Sequence, residues 1–211
     1  MSDKKNIPLR AAERFFLYFR FLKAKMELGA ENVFSHELSL AVGISPEQVR
    51  QDLRLLNVRG TPQQGYPIRA FLADLNGFLS LGEPVKAVLV GAGGMGQSIL
   101  SFFSDIRPNL QIVAAFDSDM GKNITKIAGC PVYNLSHIAE IVRKEHPLVG
   151  IIAVSPTGAQ QLADDMAALG IRGILNLSSS MIKPPAGVFL EQLDVMMSLE
   201  KTVFFARNMG N

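Results

Sequence analysis

Between Pro8 and Gly29, apolar side chains recur at helical spacing, with Phe15, Phe16, Phe19 and Leu22 on one stripe. Proline suits a first helical turn and glycine a stop, so the pattern predicts one long amphipathic helix over 8–28. A short second helix is predicted from Ser35 as N-cap, through Leu38, Ala41 and Val42, to Gly43. A third follows at once: Ser45 is the N-cap, Pro46 fits the first position, and Gln48 sits where a capping-box partner belongs. Beyond Gly82-Glu83-Pro84 the pattern changes. Apolar runs at 86–90, 111–116, 149–154 and 172–177 read as buried strands, alternating with helical periodicity at 94–104, 135–145 and 157–169. The last segment, Leu190 to about Arg207, reads as an apolar-rich helix carrying Met196, Met197, Val203, Phe204 and Phe205.

Two short helices joined by a glycine-containing turn form a helix-turn-helix unit, whose second helix enters the major groove of DNA. At 100° per residue, Val49, Leu53 and Leu56 face a core, while Glu47, Arg50, Gln51 and Arg54 share the opposite side. Arginine grips guanine edges or phosphates, and glutamine reads adenine. The competing reading is a solvated face on a small helical domain. Arg59, Gly60 and the turn-rich Thr61-Pro-Gln-Gln-Gly-Tyr-Pro67 fit the hairpin wing of a winged helix, lying beside backbone or minor groove. Ser45 and Tyr66 complete the expected DNA-contacting set.

The alternating second part predicts a doubly wound parallel sheet, which binds ligands beyond the carboxyl ends of its strands. There, Lys86-Ala-Val-Leu-Val runs directly into Gly91-Ala-Gly-Gly-Met-Gly96, a G-x-G-x-x-G turn. Gly91 permits the tight turn, Gly93 lets backbone approach a pyrophosphate, and Gly96 lets the helix pack on the strand. The run Gln111-Ile-Val-Ala-Ala-Phe ends in Asp117, placed as an acid about 20 residues on that clamps a ribose. Asp117 accepts from both ribose hydroxyls yet repels a 2′-phosphate, which favours NAD(H) over NADP. A glycine-rich turn without a ligand is the plainer alternative.

Composition narrows the class. The 211 residues suit one large or two small domains, and 48% hydrophobic residues supply packed cores. No apolar run is long enough to cross a bilayer, and the start, Met-Ser-Asp-Lys-Lys-Asn, lacks a secretory signal's apolar stretch. Cys130 is alone, so no disulfide framework or cysteine-based metal site is expected, and a cytoplasmic setting fits. The net charge is +2, but residues 1–80 hold eleven Lys or Arg against eight Asp or Glu, so the basic bias belongs to the first part. The division expected is a winged-helix DNA-binding domain over 1–82, a Rossmann NAD(H)-binding domain over 83–188, and a C-terminal segment over 189–211 that a partner subunit buries.

An NAD-dependent dehydrogenase shares this fingerprint but needs an acid or base. His36 lies in the helical domain, His137 beside a helix start and His146 before Pro147, and nothing in sequence pairs a base with Ser155, so no catalytic residues are expected. A coenzyme A module is the second rival, and Asp117 weighs against it.

Taken together, the motifs resemble the redox-sensing transcriptional repressor family Rex. The likeness runs through Ile7-Pro8, Leu17-Tyr-Phe-Arg20, Val49-Arg-Gln-Asp-Leu53, Gly65-Tyr66, Val90 to Gly96, Ala114-Ala-Phe-Asp117, Pro131-Val-Tyr133, Ile151-Ile-Ala-Val154, Gly173-Ile-Leu-Asn176 and Leu193-Asp194. The resemblance implies a homodimer that binds operator DNA and NADH or NAD⁺ without a metal, its C-terminal helix swapped near the partner's cofactor. It implies cofactor contacts at Gly91, Ala92, Gly93, Gly94, Met95, Gly96, Asp117, Val154 and Ser155, with Ser118 and Lys122 further out. It also implies interdomain coupling residues Arg20, Phe102 and Asp194, with the charged pair Arg20 and Asp194 linking the domains.

The departures fall at functional positions. The family's recognition helix continues Arg-Lys-Asp and then Ser-Tyr-Phe, whereas here it runs Arg50-Gln51-Asp52-Leu53-Arg54-Leu55-Leu56, so a phosphate-binding lysine becomes an amide. The family's basic residue before the wing glycine is replaced by Thr61-Pro-Gln-Gln64. An asparagine in the glycine loop is Gly94, and a tyrosine near the nicotinamide is Phe102, without its hydroxyl. The pattern is that of a divergent paralogue.

Overall fold

A computed structural model describes residues 7–61, 63–80, 82–106, 109–119 and 126–209, with the side chains of 103–106 left undescribed. The chain divides into two units, Met1–Glu83 and Pro84–Asn211.

In the first unit, α1 (Leu9–Glu27) buries Ala11, Phe15, Tyr18 and Leu22. This stripe corrects the expected one: Phe16 is 42% exposed and Phe19 only half-buried, because the i, i+4, i+7, i+11 line passes through Tyr18 instead. The second helix, α2 (Ser35–Val42), begins at Ser35 itself, the residue expected to cap it. Phe34 is the N-cap residue, and Glu37 completes that end by accepting from its backbone N–H at 2.8 Å. Glu37 also forms an ion pair with Lys25, tying α2 to α1. Gly43 ends α2 with φ +72°, a left-handed conformation that favours glycine. Then α3 (Pro46–Leu55) begins behind Ser45, whose Oγ accepts from the Gln48 N–H at 3.2 Å. The Gln48 side chain does not return to the cap; it donates to Asp52 Oδ1 at 3.1 Å.

After the wing, where no helix is predicted, α4 (Ile68–Leu79) buries Ile68, Phe71, Leu72 and Leu75 at i, i+3, i+4 and i+7. Phe78 meets Phe15 edge-on, and Phe71 meets Tyr18, so α4 closes the core over α1. The two-residue strands β1 (Asn32–Val33) and β2 (Tyr66–Pro67) pair antiparallel at the base of the wing.

The second unit is a seven-stranded sheet built from β3 (Val85–Val90), β4 (Leu110–Asp117), β5 (Lys126–Ile127), β6 (Cys130–Asn134), β7 (Val149–Ile152), β8 (Gly173–Asn176) and β9 (Phe189–Gln192). Their spatial order is β5-β6-β4-β3-β7-β8-β9. Apart from β5, a short antiparallel partner of β6, the strands are parallel. Counting them from β3 gives the doubly wound order 3-2-1-4-5-6, which switches direction between β3 and β7. On one face, Val88, Val90, Phe116 and Ile152 pack with Val142 of α6 (Ile138–Glu145) and Leu162 and Met166 of α7 (Ala159–Ala168). On the other, Leu89, Ala115 and Ile151 pack with Leu100 of α5 (Gly94–Ile106). Both faces of β3 are thereby covered, as continuous apolar runs in parallel sheets require.

The C-terminal segment departs from expectation. Leu190 belongs to edge strand β9, paired with Ile174 of β8, and the helix α8 (Val195–Asn208) starts only after Asp194 caps it, its Oδ1 accepting from the Met197 N–H at 2.9 Å. Edge-strand pairing outcompeted helical periodicity over 189–192, a segment too short to distinguish the two by pattern. No residue of α8 is buried.

A candidate dinucleotide cleft and a candidate nucleic-acid interface

The carboxyl end of β3 enters the glycine turn at Gly91, which adopts φ +100° and donates its N–H to Phe116 O at 2.8 Å. A Cβ on Gly91 would lie 2.3 Å from Ala153 O, and one on Gly96 would lie 1.9 Å from Gly91 O. Both obstacles are backbone, so neither position accepts a side chain without moving main chain. Gly93 differs: a Cβ there meets nothing within 4 Å, as does one on Gly94. Their freedom from side chains leaves open space above the loop rather than allowing internal packing.

Asp117 ends β4 on the adjacent strand. Its Oδ2 accepts from the Ala92 N–H at 2.7 Å and its Oδ1 from the Asp119 N–H at 2.9 Å. Two main-chain donors thus orient the carboxylate, while further lone pairs on each oxygen remain for other donors. The cleft beside it, about 250 Å³, brings together Gly91, Gly93, Asp117, Ser118, Val154 and Ser155. Ligand pockets run about 300–1,000 Å³, so the cleft matches part of a dinucleotide and the remainder would lie across the open glycine loop. Leu135, in the 3₁₀ turn after β6, also lines the cleft, although no motif marked it in the sequence. Gly94 and Met95 are exposed on the first turn of α5, where free N–H groups favour an anion, and Gly96 is buried beneath. Phe102 is exposed further along the same helix. Lys122 lies outside the described residues.

Other candidate chemistry is engaged structurally. His36 stacks on Phe34, His137 approaches Glu140 at 3.6 Å, and His146 ends α6 with φ +51°. Cys130 is buried, and burial pushes its thiol up to about 11, which disfavours the reactive thiolate. Among the described residues, no group of three or more His, Cys, Asp or Glu is arranged to hold a metal ion.

In the first unit, α3 buries Val49 and Leu53 while Glu47, Arg50, Gln51 and Arg54 are exposed, as the 100° rule requires. Arg50 and Glu47 pair at 2.5 Å along the helix, and the guanidinium holds the Glu47 carboxyl below its ordinary range. Arg59 is exposed at the start of the wing, where Thr61 and Gly65 bridge through Gly65 N–H to Thr61 O at 2.8 Å. Tyr66 is half-buried, its ring against Phe71, and a Cβ on Gly60 would strike it at 2.4 Å.

Sequence reading missed the polar cluster that seats this helix. Asp52 is fully buried on α3, and Arg14 of α1 donates to it twice, with Tyr18 at 2.8 Å and Gln48 completing the set. Burial pushes the Asp52 carboxyl up, but these donors outweigh it and hold the group below the usual carboxylate range. Burial, then the bond to Asp52, drives the Tyr18 phenol upward. An acid flanked by Arg50, Gln51 and Arg54 reads from sequence as another exposed charge; the signal was its place between buried Val49 and Leu53, at i+3 and i−1.

Arg20 is exposed on α1, and Asp194 caps α8; the two residues belong to separate units.

A helix-turn-helix unit joined in one chain to a doubly wound sheet with a dinucleotide loop defines the class of ligand-responsive transcriptional regulators. Residues 6–53 match the family described as putative DNA-binding protein N-terminus, and residues 83–180 match the CoA binding domain family. The chain is 30% identical over 211 residues to the redox-sensing transcriptional repressor Rex of Leuconostoc citreum, covering 100% of this chain and 98% of the relative. It is 32% identical over 207 residues to Rex of Geobacillus kaustophilus, covering 98% and 97%. The crystal structure of RSP, a Rex-family repressor, superposes with a TM-score of 0.84 at 24% identity over 97% of this chain and 96% of that one. RSP in complex with beta-NAD⁺ and operator DNA gives 0.87, again at 24% identity, over 97% and 94%. The chain belongs to the Rex family of redox-sensing transcriptional repressors.

Proposed function

We propose that this protein is a homodimeric, non-enzymatic repressor that reads NADH against NAD⁺ in the cytoplasm and leaves its operator when NADH binds. The carrying observation is the Asp117 carboxylate, fixed to the glycine loop by the Ala92 N–H inside the cleft at the sheet's switch point. A diol of an unphosphorylated ribose matches that acceptor, whereas a phosphate on the ribose, as in NADP or coenzyme A, meets like charge. The Rex relatives carry the redox-sensing name, and RSP has been crystallised with beta-NADH and with beta-NAD⁺ and operator DNA. The exposed Arg50, Gln51 and Arg54 supply the DNA-facing polarity, with Ser45, Arg59 and Tyr66 around them.

Dimerisation is supported by α8, where Met196, Met197, Leu199, Val203, Phe204 and Phe205 are all exposed. So continuous an apolar surface is ordinarily covered by another chain. NADH acts by population shift, and a tenfold preference for the released state is worth about 1.4 kcal/mol. The test is calorimetric titration with NADH and NAD⁺, followed by recovery of genomic fragments with each cofactor present. Fragments recovered without NADH and lost with it fit the repressor. NADH binding with no fragment enriched in either condition fits instead a sensor that has lost its operator, the reading favoured by neutral Gln51 and the uncharged wing tip.

A further inference from the structure

The winged-helix unit carries a groove of about 540 Å³ between the start of α1 and the outer side of α3, lined by Arg10, Arg14, Gln51, Arg54 and Leu55 among others. Its three guanidiniums are not equivalent. Arg14 is committed to Asp52, the one acid in the lining, which is buried and saturated with donors. Arg10 and Arg54 are exposed, and neither pairs with a carboxylate among the described residues. The groove therefore presents net positive charge to solvent. Elsewhere in the DNA-facing set the charge is sparse: Arg50 is paired with Glu47, Gln51, Thr61, Gln63 and Gln64 are neutral, and exposed Arg59 is the cation at the wing.

We propose that this groove is a grip for duplex-backbone phosphate, with Arg10 and Arg54 as its cationic contacts and Arg14 as a positioning residue that holds α1 against α3. The inference rests on the DNA-binding reading above and deepens it. In helix-turn-helix docking the reading helix lies in the major groove, with phosphate backbone on either side of it. Gln51 and Arg54 belong both to the groove lining and to the exposed face of α3, so the grip is continuous with that face. Guanidinium forks match phosphate oxygens two at a time, which suits Arg10 and Arg54 to a backbone contact. Such contacts carry no sequence information; they add affinity and salt sensitivity.

The experiment measures binding of a labelled random-sequence duplex by full-length protein across a series of salt concentrations, for the parent, Arg10→Ala, Arg54→Ala and the double variant. Each lost phosphate contact lowers the slope of log K against log salt by about 0.9, so the double variant loses about 1.8. Both side chains are exposed, and an unchanged thermal midpoint in each variant separates lost contact from lost fold. Parent-like slopes in Arg10→Ala and the double variant overturn the grip while leaving the DNA-binding reading intact. A parent that binds no duplex at any salt overturns both.

Discussion

The Arg14 guanidinium grips the Asp52 carboxylate through two parallel hydrogen bonds, Nε to Oδ2 and Nη2 to Oδ1, each 2.6 Å long. This fork spans α1 to α3 and fixes how α3 sits against α1. Removing one partner of a buried pair leaves an uncompensated charge, which costs about 3–5 kcal/mol. Arg14 is 18% exposed, which places Arg14→Met near the lower end, at about 3 kcal/mol. Urea unfolding measures this, and a loss under about 1 kcal/mol would show that the fork does not hold the helices.

The same contact sets an acid limit. Asp52 lies below its ordinary value of 3.8 in the folded chain, so it binds protons more readily when unfolded. Its contribution is fully present above that unfolded value and is lost as pH falls through the lower folded one. Between neutral pH and about pH 3, the urea midpoint of the parent should therefore fall more steeply than that of Asp52→Asn, which cannot titrate. Parallel curves would assign the acid limb to other carboxylates.

Gly96 and Gly93 should fail differently. Gly96→Ala drives a methyl group against Gly91 O, a backbone atom, and should lower the thermal midpoint as well as cofactor binding. Gly93→Ala meets no protein atom and should leave the midpoint unchanged, yet weaken NADH if pyrophosphate crosses the loop at that point. Calorimetry beside thermal unfolding separates the two, and full NADH affinity in Gly93→Ala would remove the pyrophosphate from above it.

These elements differed in how plainly the sequence announced them. The glycine turn, Asp117 and the polar side of α3 were legible because each depends on local spacing: strand to turn to helix, or 100° per residue. The helix α4 is equally periodic, with apolar positions at Ile68, Phe71, Leu72 and Leu75, yet nothing in the sequence analysis assigns 68–79. The Asp52 cluster was not legible, since its partners Arg14 and Tyr18 lie 38 and 34 residues away and only packing brings them together. Strand β5 has only two residues, and β9 carries apolar residues that also open the final helix pattern. Leu135 enters the cleft through a chain turn, for which composition gives no signal.

Asp117→Ala removes the acceptor proposed for the ribose hydroxyls. Hydrogen bonds to a charged group contribute about 1.5–3 kcal/mol, so NADH should bind roughly ten- to a hundredfold more weakly. The variant also strips the Ala92 N–H of its partner, so the thermal midpoint of the unliganded protein must be recorded alongside. Undiminished NADH affinity would remove the clamp assignment.

Asp194 has two roles to separate. Its Oδ1 caps α8 through the Met197 N–H, and the coupling with Arg20 that the family resemblance implies would need its charge. Asparagine caps a helix about as well as aspartate, so Asp194→Asn keeps the cap and removes the charge. The variant should still bind duplex and still bind NADH, but NADH should no longer release it from duplex. Linkage makes the check reciprocal: in the parent, DNA must weaken NADH by the same factor by which NADH weakens DNA, and in the variant both factors should approach one. An NADH effect on release that matches the parent would leave Asp194 a helix cap and move the coupling to another contact.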